Sequence, residues 1–585
     1  MKSIINLLNQ IVREAFYICG YDNTNVYVQE SNRPDLCDYQ CNSALLLAGK
    51  LNKKPIDIGN EIKEYIKENV HFSVKLVKPG FLNFKLKDHF IRNCLNTMIK
   101  DKNFGVCYPN MKKKIVIDYG GPNIAKPLHV GHLRPAIIGE CLKRMGVYLG
   151  HHMIGDVHLG DWGLPIGLVI NELMEMFPII KNELIIKNVY ISLDFITVDL
   201  LEDIYPIASK KSKTDENYKA KATEITLELQ NGNEKYKYLW EHIVNLSVLD
   251  LKKNYKELDI NFELWNKESD SQKYVSDMVS YFLEHKYAYI SEEAVVVDVK
   301  LPSDSRDIPP CIVLKSNKAS IYTTTELATI IDRVKHINPD EIIYVVDNRQ
   351  ELHFEQVFRC ARKTHIIPDN TKLVFVGFGT VNGKDGKPYK TRDGGTMRLN
   401  SLINEVVGEV REVLQHRRND LLISEQKEIA KDIAISAIKY GDLSNRISKD
   451  YIFEMDKFTS FEGNTGPYIL YTAVRINSLY KKFTKTSIVL GDEISYNISD
   501  FRDLALQLLK FNGLIEKAFE DLNPQILTSY IYKLATLVNN IYHSENIILL
   551  SDVSKKCDLM NVLLLSNNIL EVCSSILGMK IPSKM

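Results

Sequence analysis

The sequence predicts a multidomain α/β protein: a parallel-sheet catalytic domain with an insertion, a small α+β domain before it and an all-α bundle after it. Three observations lead there. At 585 residues the chain exceeds what one hydrophobic core organises, so two to four domains are expected. Short apolar runs at 115–117, 342–346 and 373–376 alternate with helical patterns, as in a parallel sheet wrapped by helices. Beyond about residue 425 strand-like runs stop and helical periodicity dominates, notably at 429–440 and 528–542.

Residues 1–110 read as the α+β domain, with helical spacing at 42–51 and a strand-like run at 81–84 after Pro79 and Gly80. The character changes after the basic triplet Lys112, Lys113, Lys114, and residues 111–425 form the catalytic domain. Its first unit is a strand at 115–117, a Gly-Gly-Pro loop and a helix over about 132–149 closed by Gly150. A polar, helix-rich insertion spans about 171–299, and its Lys210, Lys211 and Lys213 read as a solvated helix face. Residues 426–585 are the bundle.

Composition narrows the class without naming it. With 45% apolar and 25% charged residues this is ordinary globular material. The apolar opening is interrupted by Arg13 and Glu14 and lacks a small-residue cleavage site, so an amphipathic helix is expected there. The apolar stretch at 561–579 carries Glu571, Asn567 and Asn568, too broken to span a bilayer. A cytoplasmic protein without membrane attachment is expected. Ten cysteines include no C-x-x-C pair, and Cys37 and Cys41 have no neighbours to complete a zinc site, so no metal site is expected and the thiols read as buried. Formal charge is zero, and residues 426–585 hold 18 basic against 18 acidic side chains, so bulk charge gives no footprint of nucleic acid.

The strongest chemical signal is the run from Asp118 to His132, Asp-Tyr-Gly-Gly-Pro-Asn-Ile-Ala-Lys-Pro-Leu-His-Val-Gly-His. It sets two imidazoles, His129 and His132, where a strand turns into a helix, so both rings and the helix N-terminal amides can face a phosphate. Gly131 between them leaves room for close approach of a base or phosphate. This stretch resembles the H-I-G-H signature of class I aminoacyl-tRNA synthetases, and its Pro-Asn-Ile-Ala-Lys-Pro-Leu-His context resembles the arginine-specific family. The resemblance implies a Rossmann-like catalytic domain and a ligase that activates arginine with ATP and passes it to the 3′-terminal ribose of its tRNA. It also implies that His129, His132 and Lys126 are catalytic, the imidazoles stabilising charge on the ATP phosphates, and that these three with Gly131 bind ATP, with Mg²⁺ accompanying the nucleotide and no resident metal. Activation is expected to require bound tRNA.

The second class I signature, K-M-S-K-S, is best matched by Lys387 to Gly395, where Lys390 and Arg392 are the catalytic candidates. Aligned on Arg392, the pattern's second lysine is replaced by Thr391, and family members with that loss carry a lysine ahead of the histidine motif. Lys126 stands there. The segment Gly155 to Gly163 resembles the family's G-D-W-G turn, with Pro165 where Gln is common. Pro135 stands where Ser or Thr is usual, and a first helical turn would accommodate it.

Arginine recognition needs planar acceptors, because a guanidinium is a rigid fork of donors that a carboxylate matches. Matching motif by motif, the resemblance assigns that role to Glu268 and to Glu326, the latter where many members have Asp. It assigns the substrate's amino end and stem to Asn123, Tyr322 and Gln350, and its ammonium to Asp118. Residues 461–475 and the terminal Pro-x-x-Met resemble the family's anticodon-binding bundle. There Tyr542 and Met585 are candidates for RNA contact, since aromatic faces stack on unpaired bases. The first 110 residues resemble the family's tRNA-elbow domain. No dimerisation segment stands out, and a monomer is expected. The rival readings are another class I nucleotidyl transferase and a catalytically silent RNA-binding paralogue.

Overall fold

The computed structural model describes all residues except 1, 22–24, 67–69, 127, 317–319, 388–396, 418–421, 496–497 and 545. They form two compact units. One comprises residues 1–110, 420–433 and 460–585; the other comprises 111–419 and 434–459.

In the first unit a four-stranded antiparallel sheet runs in the order Val28–Glu30, Tyr39–Cys41, Phe81–Leu86, Phe72–Val77. The opening helix Ile4–Ile18 buries Ile4, Leu8, Val12, Ala15 and Phe16, the i, i+4, i+8 stripe of an amphipathic helix. Helices Gly466–Phe483, Pro524–Ser544 and Val553–Ile576 form the bundle. Val553–Ile576 is long and apolar enough to cross a membrane, yet 72% of that window is buried inside the protein. Arg502 ties the bundle to the sheet domain through Asp38 (2.7 Å) and Asp88 (2.5 Å).

The second unit is built on four parallel strands in the order Lys372–Phe378, Glu341–Asp347, Lys114–Tyr119, His152–Asp156. Chain order reverses between the two central strands. At such a switch point the connections leave in opposite directions and open a crevice at the carboxyl ends, where ligands bind. Asp118, Gly120 and Asp347 stand at that edge. The helices Val130–Tyr148, Tyr322–His336 and Glu351–Lys363 pack around the sheet.

Three sequence expectations are corrected. Strands do not stop at 425: Tyr451–Ile452 pairs in parallel with Val381–Asn382, a ladder too short to produce a periodic pattern. The helix expected from 132 starts at Val130, so Pro135 lies in its second turn and not its first. There it withholds the N–H that would reach the Gly131 carbonyl. Pro165, by contrast, occupies the first turn of the helix Leu164–Met176, where no N–H is needed.

Gly121 is fixed by close approach. A Cβ there would lie 2.2 Å from the Val157 carbonyl oxygen and 2.3 Å from that of His158. Gly121→Ala is therefore expected to lower stability by roughly 1–3 kcal/mol, the usual penalty of overpacking, measurable by thermal melting.

Candidate active site

A cavity of about 670 Å³ opens at the switch point, within the usual range for small-molecule sites. Nine of the residues singled out from sequence line it: Asp118, Asn123, His129, Gly131, His132, Glu268, Tyr322, Glu326 and Gln350.

His129 is the N-cap of the helix Val130–Tyr148. Its Nδ1 accepts from the Gly131 amide at 3.1 Å, and Nδ1 of His132 accepts from the His129 amide at 3.2 Å. A neutral imidazole that accepts at Nδ1 carries its proton on Nε2, so both rings are left with an Nε2–H donor. Burial, then the charge of Lys126, holds His129 below the ordinary histidine range. Burial, His129 and Lys126 press His132 down to about 3. The rings lie 3.8 Å apart between centroids and are tilted by 31°. Gly131 serves this pair: a Cβ would fall 2.8 Å from the His129 ring. Sequence reasoning gave that glycine to ligand access, whereas a Cβ there would first meet the His129 ring.

The acidic side of the cavity comes from three elements. Asp118 is the penultimate residue of the strand Lys114–Tyr119. Glu326 lies on the helix Tyr322–His336, one turn beyond Tyr322. Glu268 arrives on a segment held beside the Gly-rich turn: the Leu159 amide donates to Asn266 O (2.8 Å) and the Glu268 amide to Leu159 O (3.0 Å). Asp161 secures the next residue, accepting from the Ser269 amide at 3.0 Å and hydroxyl at 2.7 Å.

Glu326 is 2% exposed, and its Oε2 has no hydrogen-bond partner among the described residues. Burial, then the Asp118 charge, pushes its carboxyl up to about 8. Burial and neighbouring Asp161 push Glu268 up to about 7. Both carboxyls are buried and face other acids, an arrangement that a cation placed between them would relieve. Tyr322 stacks on His353 at 4.6 Å and 20°, which orients its ring against the cavity. Asn123 is pinned by the Ile124 amide donating to Gly160 O at 2.8 Å. Gln350 closes the turn Asn348–Gln350 after the strand Glu341–Asp347.

The remaining candidates fall elsewhere. Lys126 lies outside the lining, its ammonium 4.6 Å from the centroid of the Tyr205 ring. Lys390 and Arg392 lie outside the described residues, but both flanks of their segment border the site. Thr380 and Val381 line the cavity. On the other side the Val130 amide donates to Met397 O (3.1 Å) and the Leu399 amide to Leu128 O (2.9 Å), a ladder against the histidine motif. Tyr542 and Met585 belong to the other unit; Tyr542 packs under Arg475, 4.0 Å from the ring centroid, and Met585 is buried. Arg134, His158 and Asp347 also line the cavity, though sequence reasoning did not single them out. His158 stood inside the Gly-rich segment, and Arg134 two residues after the motif.

Comparison with known proteins agrees with this geometry. The family model for the class I (R) tRNA synthetase catalytic domain matches residues 94–455. The arginyl-tRNA synthetase N-terminal domain matches 2–86 and the DALR anticodon-binding domain 469–585. The chain is 48% identical to the arginine–tRNA ligase of Agathobacter rectalis and 46% identical to that of Alkaliphilus oremlandii, each covering all of both chains. Among solved structures, arginyl-tRNA synthetase from Plasmodium falciparum is similar over the full length of both chains with a TM-score of 0.85 at 26% identity. That from Thermus thermophilus shares the fold at 0.81 and 19%, again over both full chains. Twin neutral imidazoles at a helix start, three acids in one crevice and family matches along the whole chain agree: this protein belongs to the arginyl-tRNA synthetase family.

Proposed function

We propose that the cavity is where this chain, acting as an arginine–tRNA ligase, joins arginine to ATP and then to tRNA. One observation carries the assignment: Asp118, Glu268 and Glu326 share a single crevice with His129 and His132, and Glu326 Oε2 has no hydrogen-bond partner among the described residues. Glu268 and Glu326 receive the guanidinium, Asp118 the ammonium, and Asn123, Tyr322 and Gln350 the amino end and stem. The arginine carboxylate then attacks the α-phosphorus of ATP; the new P–O bond forms as the bond to the β-phosphate oxygen breaks and pyrophosphate leaves. His129 and His132 donate from Nε2–H to the oxygens on which charge accumulates. In the second step the 3′-terminal ribose hydroxyl of tRNA attacks the arginyl carbonyl and AMP departs.

Mg²⁺ enters with ATP as part of that substrate. Lys126, whose charge both imidazoles feel, and Lys390 and Arg392, between flanks that border the cavity, are assigned to the triphosphate. Tyr542 and Met585 are assigned to the anticodon end of tRNA, residues 1–110 to its elbow, 111–425 to catalysis and 426–585 to anticodon binding. The working protein is a cytoplasmic monomer.

Charging assays with each amino acid and total tRNA test the reading. Arginine alone should be accepted; charging with lysine, or no charging, would overturn it. Activation should also need tRNA, so pyrophosphate exchange without tRNA should stay near background, and robust tRNA-free exchange would contradict this.

The raised carboxyls give a pH dependence whose sign is fixed. A guanidinium binds the ionised acids, so arginine binding releases protons near neutrality. kcat/KM for arginine should hold above about pH 8 and fall as pH drops through the values near 8 and 7. A profile flat from pH 8.5 to 6 would count against the assignment.

A further inference from the structure

Asp118 and Asp156 stand directly opposite each other on neighbouring parallel strands. Paired like charges are unfavourable, more so when buried, unless a cation lies between them. That cation is Arg333. It is 0% exposed, and its Nη2 donates to Asp118 Oδ2 at 2.5 Å and to Asp156 Oδ2 at 2.7 Å. Its guanidinium packs 5.4 Å from the centroid of the Tyr344 ring.

Each contact leads to one of the acids assigned to arginine. Asp118 lines the cavity itself. Asp156 accepts from Asn266 through the amide (3.4 Å) and the side chain (3.3 Å), two residues before Glu268. Tyr322, Glu326, Thr329 and Arg333 follow at i, i+4, i+7 and i+11, so they form one stripe of one helix. Nε and Nη1 of Arg333 have no partner among the described residues. The same buried guanidinium is therefore bonded to the strand that carries Asp118, stands on the helix that carries Glu326, and reaches the Glu268 segment through Asp156.

We propose that Arg333 is a positioning residue for the amino-acid site, a fixed internal guanidinium that sets the Asp118, Glu268 and Glu326 carboxylates in register for the guanidinium and ammonium of the substrate. The inference rests on the assignment of those acids to arginine. Arg333 also supplies the positive charge facing Glu326; the other groups facing it are Asp118 from the strand Lys114–Tyr119, Glu268 from the short helix Glu268–Ser271, Tyr322 from its own helix and Tyr344 from the strand Glu341–Asp347.

The test is steady-state aminoacylation by the full-length enzyme, with arginine varied at saturating ATP and tRNA and ATP varied at saturating arginine and tRNA, for wild type, R333K, R333M and, as reference, E326Q. R333K keeps the charge but loses the planar fork. It should lower kcat/KM for arginine on the order of 100-fold, the scale of a misplacement of about an ångström, through KM for arginine and not KM for ATP. Its acid limb should stay near that of wild type. R333M should show the same KM defect with the acid limb moved to higher pH, because Glu326 then faces only acids and phenols. A folded R333K with wild-type KM for arginine would overturn the proposal. So would a loss shared equally between arginine and ATP, the mark of a general structural role. Should R333M fail to fold, R333K alone decides. If E326Q leaves KM for arginine unchanged, the acid assignment fails instead, which separates the two.

Discussion

Glu326→Gln is expected to lower kcat/KM for arginine by more than 100-fold, with the loss concentrated in KM for the amino acid. The substitution keeps the shape of the side chain and removes the charge that a guanidinium would meet. Truncating one partner of a buried, hydrogen-bonded charge pair costs about 2–5 kcal/mol, and the middle of that range corresponds to the stated loss. The free enzyme should respond oppositely. Glu326 is buried with its Oε2 unanswered and its carboxyl held far above the ordinary range, so it opposes folding once ionised. The unfolded-state carboxyl ionises near 4.5, so this penalty grows as pH rises from there towards about 8. E326Q without substrate should melt at a higher temperature than wild type at pH 8, and the gap should narrow at pH 5. Glu326→Asp keeps the charge on a shorter arm and should retain most of the activity if charge, not reach, dominates.

The second large effect is expected at the imidazoles. His132→Ala should reduce kcat by about 100- to 1,000-fold with little change in KM for arginine, the loss of one preorganised donor to developing charge. His129→Ala should be as severe, because it also removes the acceptor for the Gly131 amide and the cap of the helix Val130–Tyr148. In the proposed mechanism both rings act as neutral donors. With His132 titrating near 3, the pH profile of kcat between 5 and 8 should carry no step from it. A kcat that required a protonated imidazole near neutrality would contradict this account of the pair.

Much of this site could be read before any fold was known, and the physical reason is local. Asp118, Asn123, His129, Gly131 and His132 fall within fifteen consecutive residues, where a strand, a tight loop and a helix N-terminus follow one another. Their chemistry depends on short-range backbone geometry, which spacing reports. Glu268, Tyr322, Glu326 and Gln350 were placed by motif resemblance, and the topology brings them to the same crevice from three different elements. What stayed hidden is what depends on pairing across the sheet. Nothing near Arg333 in sequence says that Asp118 and Asp156 face each other, since that follows from the register of two strands. The Arg134–Asp442 pair, 2.9 Å apart and fully buried, links residues 308 positions apart in the same way. The short ladder between Val381–Asn382 and Tyr451–Ile452 escaped for a related reason: two residues carry no periodicity.

Proline showed both sides of local reasoning. Pro165 looked anomalous beside the family pattern, yet it sits where a helix start accepts it without loss. Pro135 looked harmless by the same rule, yet it lies one turn deeper, because the helix begins at the first histidine's neighbour.

The decisive measurement is a crystal structure with arginine bound. The guanidinium should lie between the carboxylates of Glu326 and Glu268, with the α-carboxylate turned toward His129 and His132. Arginine bound elsewhere, or with its guanidinium away from both glutamates, would contradict the account.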